Sequence, residues 1–182
     1  SIFVFVNKNN EKRLKKSFES IKDLLSRYFL GLLLQINILL IIYSIVLFAF
    51  GIKNAFIIAF LCSLLNLIPY IGPIIAAILM IILSMTSNLD ADFSTIILPK
   101  TIYVMIGFII GQLIDNFFSQ PYIFSKSVKS HPLEIFIIIL VGGTLFGPIG
   151  MIAAIPFYTS LKVILKEFLS NNRIVKSLTK DL

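Results

Sequence analysis

One carboxylate stands apart from the other acidic residues of this chain. Asp115 ends an uncharged apolar run, beside Asn116, one helical step from Gln112 and shortly before Gln120. An ionisable side chain inside such a run is costly to bury, and where it occurs it marks a path for ions, protons or polar solutes. The chemistry open to Asp115 is cation ligation or proton exchange. The blander alternative is an interfacial aspartate that caps a neighbouring helix or pairs with a lysine. Gly107, Gly111, Asp115 and Ser119 recur every four residues. On a helix they form one stripe, and the two glycines admit a second helix at close range. That stripe is expected to face protein or a cavity rather than lipid.

Two further groups place polar or unpaired backbone within apolar segments. The first is Asn66-Leu-Ile-Pro-Tyr-Ile-Gly-Pro, which contains Pro69, Gly72 and Pro73. The second runs over Gly142, Gly143, Gly147, Pro148 and Gly150, with Pro156 following. Proline and glycine so close together break a helix, and the backbone groups released cannot face hydrocarbon. They line a cavity, or they make a structural kink or tight helix packing. His131 precedes Pro132 at a helix start, and Glu134 follows in the first turn. A proton relay is one reading; a helix cap and a carboxylate favoured by the helix dipole is the simpler one. Gln35, one turn after Gly31, is placed to hydrogen-bond across to another helix. No metalloprotease helix, nucleophile elbow or phosphate-binding loop occurs. The single Cys62 lies in an apolar run, where it reads as a small buried side chain. The residues call for no enzyme activity, metal or cofactor.

The elements that must position these residues are membrane helices. Of 182 residues 58% are hydrophobic and 14% charged, against about 25% charged in soluble domains. Mean hydropathy is +0.97. The net charge of +7 is not spread as a nucleic-acid surface would be. Seven Lys/Arg fall within Lys8–Arg27 and five within Lys162–Lys180, flanking a nearly uncharged middle. Basic flanks mark cytoplasmic ends of spans and attract anionic lipid. The partners expected are therefore the bilayer and a small-molecule or cation substrate, with no nucleic acid.

The expected domains are 1–27, 28–168 and 169–182. The first holds the end of an upstream membrane segment and a basic amphipathic helix striped by Leu14, Phe18, Ile21, Leu25 and Tyr28. That helix suits the cytoplasmic membrane surface or packing on the rest of the protein. The apolar start without Met reads as a helix cut off upstream. The membrane domain has full spans at 28–50 and 96–118 and broken segments at 55–86 and 133–168. The last domain is a basic cytoplasmic tail. The flanks on either side of the proline pair, 55–68 and 73–86, are 14 residues each, about 21 Å of helix, too short for a core of about 30 Å. Read as re-entrant hairpins, the broken segments leave the loop with Asp90 and Asp92 outside and Lys126, Lys129 and both termini inside, in accord with the charges. Gly72-Pro-Ile-Ile-Ala-Ala-Ile is echoed by Gly147-Pro-Ile-Gly-Met-Ile-Ala-Ala-Ile, an inverted repeat or a coincidence of apolar sequence.

An ordered set of these residues resembles the autoinducer-2 exporter (AI-2E, PerM-type permease) family. It comprises Asp115-Asn116, Gln120-Pro121, Lys126-Ser-Val, His131-Pro132, Gly142-Gly143, Phe146-Gly147, Gly150 and Ala154-Ile-Pro156. Asn66 to Pro73, and Tyr28, Gly31 and Gln35, resemble that family's other hallmarks. Ser125, Glu134 and Pro148 depart from its pattern. The resemblance implies a multi-pass bacterial inner-membrane homo-oligomer, of which this chain is the C-terminal portion. It implies export of a small solute such as a quorum-sensing furanone or, in some members, sodium(lithium)/proton antiport. A non-transporting scaffold or channel subunit is the remaining alternative.

Overall fold

A computed structural model describes residues 8–87, 89–121, 130–169 and 179. Regular structure among them is helical throughout. Helix α1 is Lys8–Ala49, α2 is Ala55–Leu65 and α3 is Ile71–Thr86. Helix α4, Leu98–Ile114, is extended at both ends by π turns, Phe93–Ile97 and Asp115–Ser119. Helix α5 is Pro132–Phe168. Among the described residues three runs are long and apolar enough to cross a membrane: Glu11–Ala49, Phe93–Ser119 and Leu133–Phe168. Residues 1–7, the loop carrying Lys126 and Lys129, and most of the basic tail lie outside the described residues.

The chain forms two units, 31–122 on one hand and 1–30 with 123–182 on the other. Helix α1 contributes to both. The basic segment, expected as a helix on the membrane surface or packed on the rest of the protein, runs into the first span as one helix, with no glycine or proline in residues 8–30. Its buried positions are Ser17, Leu24 and Tyr28, whereas Phe18 of the expected stripe is exposed. Lys16 reaches Glu167 of α5 at 3.6 Å. The basic end of α1 thus packs on its own unit. The pairs Lys15–Glu11 and Arg27–Asp23 lie on the open surface, where such pairs contribute little.

In the 31–122 unit, α2 and α3 fold back on one another as a hairpin. A Cβ on Gly72 would come within 1.9 Å of the Leu65 carbonyl oxygen, so only glycine permits the approach. Cys62 Sγ lies 3.6 Å from the Ala76 carbonyl. At the open end the Lys53 amide donates to Ser87 Oγ. Both outer ends of the hairpin therefore lie together. The bend needs a positive φ at Tyr70 (φ 66°, ψ −51°), a conformation that costs a bulky residue energy and persists only where surroundings enforce it. Pro73 sits in the first turn of α3, where a missing N–H matters little. The packed centre is Leu39, Tyr43 and Leu47 of α1, Ala59 and Cys62 of α2, Ala76 and Met80 of α3, and Val104 and Phe108 of α4. Helix α1 meets α4 at the two glycines: a Cβ on Gly107 would strike Val46 at 2.5 Å, and one on Gly111 would strike Tyr43 at 2.9 Å. Outward-facing Ile41, Ile45, Phe48, Ile102, Ile106 and Ile109 are each at least half or nearly half exposed, a surface suited to lipid.

In the other unit, α5 is two arms joined at Gly147, whose backbone (φ 62°, ψ −150°) no helix contains. Pro148 follows and cannot donate to the preceding turn. The arms fold together: Gly142 and Gly150 approach so closely that a Cβ on Gly150 would lie 2.0 Å from the Gly142 carbonyl oxygen. Gly143 packs on Met151 in the same way. Glu134 and Lys162 bond at 3.2 Å, although 28 residues of straight helix would hold them about 42 Å apart.

Candidate functional site

The 31–122 unit gathers most of the polar residues singled out in the sequence. Asp115 is fully buried. Its Oδ2 accepts from the Gln35 amide at 2.8 Å and from the Gln120 amide at 2.9 Å. No amide reaches its Oδ1, and the buried Ser119 hydroxyl interacts with the carboxylate. Among the described residues no Lys, Arg or His pairs with it. The lysine pairing weighed for Asp115 is thus not what surrounds it. Gln120 also donates to Asn116 Oδ1 at 2.9 Å.

Local geometry explains how Gln120 reaches Asp115. Residues five apart on an α-helix point about 140° away from each other. The π turn Asp115–Ser119 closes with the Gln120 amide donating to the Asp115 carbonyl, which brings the two side chains onto one face. Single π turns inside α-helices recur at functional sites.

A second cluster adjoins the first through α4. Gln112 Nε2 donates to Tyr43 Oη and to Asn66 Oδ1, both at 2.8 Å. Asn66 in turn donates to the Cys62 carbonyl at 2.8 Å, fastening the end of α2. Tyr43 is fully buried and stacks on Phe108, ring centroids 5.2 Å apart. The hairpin tip is thus tied to α4 one helical turn before Asp115. Pro69 and Gly72 shape that tip, and Gly107 and Gly111 bring α1 close enough for Tyr43 and Gln35 to reach the cluster. Gly31 is half-buried at the unit's edge.

The remaining candidates are in the other unit. His131 Nδ1 accepts from the Leu133 amide at 3.3 Å, so it caps α5. Glu134 Oε2 accepts from Tyr158 Oη at 2.8 Å and from Lys162 Nζ at 3.2 Å. Lys162 is 2% exposed. Sequence reasoning counted it with the basic flank, yet it lies a full turn and more inside the second arm. Tyr43 was missed as well. A tyrosine within an uncharged span is a usable signal, because a buried hydroxyl requires a partner. Gly142, Gly143, Gly147, Pro148 and Gly150 form the bend and tight contact of α5, and Pro156 leaves its carbonyl accepting from Ser160 Oγ.

Long apolar helices, folded-back hairpins and a buried carboxylate among amides describe a multi-pass membrane protein. The chain belongs to the AI-2E transporter family, whose model matches residues 1–170. It is 31% identical to the putative transport protein YrrI of Bacillus subtilis over 169 residues, covering 93% of this chain and 45% of that protein. Identity to the putative transport protein YueF of the same organism is 29%, covering 88% of this chain and 40% of that protein. The AI-2 transport protein TqsA of Escherichia coli is 28% identical over 119 residues, 65% of this chain and 32% of its own length. The chain spans less than half the length of these relatives.

Proposed function

We propose that this chain is the hairpin-bearing part of a secondary transporter that moves a small solute across the bacterial inner membrane, with Asp115 as its coupling site. The observation that carries this reading is one fully buried carboxylate whose described neighbours are two amides and the Ser119 hydroxyl, with no cationic side chain among them. A carboxylate away from water is costly to keep charged, and a proton or a cation relieves that cost most fully. Neutral amides fix its position without neutralising it, which leaves the proton or cation exchangeable. The tip of the α2–α3 hairpin, tied to Gln112, stands one turn away and forms the edge of the solute path. Half-helices ending near the substrate are how secondary transporters build such sites.

In this reading the α2–α3 hairpin is re-entrant, the basic ends of the chain are cytoplasmic, and the protein works as a homo-oligomer. The relative TqsA, an AI-2 transport protein, directs the search for cargo to small organic signals; sodium or lithium against protons is the alternative cargo. The test uses the full-length parent protein in inverted vesicles with a pH-sensitive dye. Sodium or lithium should move protons in the wild type, and Asp115→Asn should abolish that movement while the protein still inserts. Retained movement in the variant removes Asp115 from the mechanism. No movement in a well-inserted wild type turns the search to organic solute export.

A further inference from the structure

The open end of the α2–α3 hairpin holds a cleft of about 490 Å³ that the transport reading does not use. Lys53 and Asn54 border it on the α2 side, Thr86 and Asp90 on the α3 side, and Ile57 and Leu61 line it along α2. Lys53 and Asp90 are exposed. Among the described residues neither forms an ion pair, with the other or with a third group. Asp92, by contrast, is taken up by the Thr95 amide and hydroxyl. One cation and one anion thus border one cleft without meeting. Ile57 is 57% exposed and Leu61 42%, so both belong to the outward apolar surface. Leu61 stands seven residues beyond Asn54, about 10 Å along the helix. The cleft is therefore charged at its mouth and apolar along its length. Tyr103 stacks on Phe50, beside this end of the unit, with ring centroids 5.5 Å apart; tyrosine is enriched where a membrane protein meets the headgroups.

We propose that this cleft binds a phospholipid whose headgroup carries a phosphate and a primary ammonium, the phosphate on Lys53 and the ammonium on Asp90, with an acyl chain along Ile57 and Leu61. The two charges of such a headgroup complement the two at the mouth. An anionic headgroup without an ammonium would instead set a negative charge near Asp90 and leave that carboxylate without a partner. The phosphate belongs on the α2 side for two further reasons. Asn54 makes no side-chain bond to the first turn of α2, whose free amides favour an anion. Lys100 Nζ lies 4.0 Å from where a Cβ on Gly51 would stand, which brings a second ammonium to the same turn. The apolar wall selects a lipid over a soluble zwitterion, since only a molecule with a tail gains from covering Ile57 and Leu61. A headgroup held by both charges bridges the two outer ends of the hairpin. The site is at the far end of that hairpin from the tip beside Gln112, and it does not depend on the role given to Asp115.

The test is native mass spectrometry of the purified protein in detergent, titrated with phosphatidylethanolamine, phosphatidylglycerol or tail-free glycerophosphoethanolamine. Phosphatidylethanolamine should bind about tenfold more tightly than phosphatidylglycerol, as one charge-assisted hydrogen bond allows. Asp90→Asn should erase that preference while the binding of phosphatidylglycerol holds or rises. Lys53→Gln should weaken both lipids by about tenfold. Both side chains are exposed, so each variant should unfold at the temperature of the wild type. Glycerophosphoethanolamine should bind about a hundredfold more weakly than the intact lipid. Asp115→Asn should bind phosphatidylethanolamine as the wild type does, which separates this site from the transport reading. A wild-type preference for phosphatidylglycerol, or a preference for phosphatidylethanolamine that survives Asp90→Asn, overturns the proposal. Tail-free headgroup binding as tightly as the lipid would make the cleft a site for a soluble zwitterion and overturn it too.

Discussion

The two hairpins solve the same problem with opposite chemistry. Each brings two apolar helices close enough at its bend that glycine is required, Gly72 against Leu65 in the first and Gly142 against Gly150 in the second. The α2–α3 hairpin contains no charged residue, and its tip is fastened to α4 through amides: Asn66, Gln112 and the Tyr43 hydroxyl. The α5 hairpin has no such amide at its bend and is clasped at its open end by an ion pair. Neutral hydrogen bonds between membrane helices are worth about 0.6 kcal/mol on average, so the first hairpin is held lightly beside Asp115. An ion pair whose lysine is buried costs more to break than a neutral hydrogen bond, so the second is held more firmly. The difference assigns adjustability to one hairpin and fixed form to the other.

That contrast breaks most visibly at the clasp. Glu134→Gln leaves a buried ammonium with one charged partner fewer and should destabilise the α5 unit by about 3 kcal/mol. Lys162→Met in addition should recover part of the loss, as read by thermal unfolding of the single and double variants. Full stability of Glu134→Gln would make the two hairpins alike. Next in size is Gly72→Ala, which drives a methyl into backbone that cannot move aside. A loss of about 2–3 kcal/mol is expected, measured in the same assay. Gly147→Ala should cost less, about 1–2 kcal/mol. Nothing lies within 4 Å of its added Cβ, and only its positive φ resists the change. Equal losses at Gly72 and Gly147 would show that space and backbone angle do not divide between the bends as described.

Smaller still in energy, but decisive for topology, is a labelling pair. Cysteines replacing Lys53 and Asp90 should react from the same face of the membrane, since the two ends of the α2–α3 hairpin meet there. Opposite faces would make this segment a single crossing. The smallest expected effect is at Asp92. It caps the helix start by accepting from the Thr95 amide and hydroxyl at 2.9 and 2.8 Å, and those donors hold its carboxyl below the usual carboxylate range. A lowered folded-state value means that the cap's contribution is complete above the unfolded carboxylate range and fades as pH falls through the folded value. The Tm difference between wild type and Asp92→Ala should therefore be slight at neutral pH and vanish in strong acid. A difference that persists there would mean that the carboxylate is not what caps the helix.

Much of the architecture was legible in residue spacing. An uncharged 23-residue run, Tyr28–Phe50, can only be long and apolar, and proline with glycine at 66–73 and 147–148 can only interrupt a helix. Gly107 and Gly111 recur at four residues, a spacing that admits a close helix, and Val46 and Tyr43 of α1 lie against them. The partners were less legible. Tyr43 and Gln112 are separated by 69 positions, and periodicity reports which face a residue occupies without naming what lies opposite. Lys162 was hidden by its company: three helical turns of mixed sequence near a basic tail look like solvent-facing helix until the opposing arm supplies Glu134. The continuity of α1 across its polar and apolar parts was hidden for a related reason, since a change of composition marks a change of surroundings and leaves the helix itself intact.

The π turn at Asp115–Ser119 holds one residue more per turn than the helix on either side. It is slack wound into a rod. Letting that turn tighten to α geometry would turn the backbone at Gln120 by about 100°, carrying the Gln120 amide away from Asp115 while Gln35, on another helix, stayed. The carboxylate would then be gripped by one amide in place of two, its fit to a proton or ion altered by about a quarter-turn of backbone.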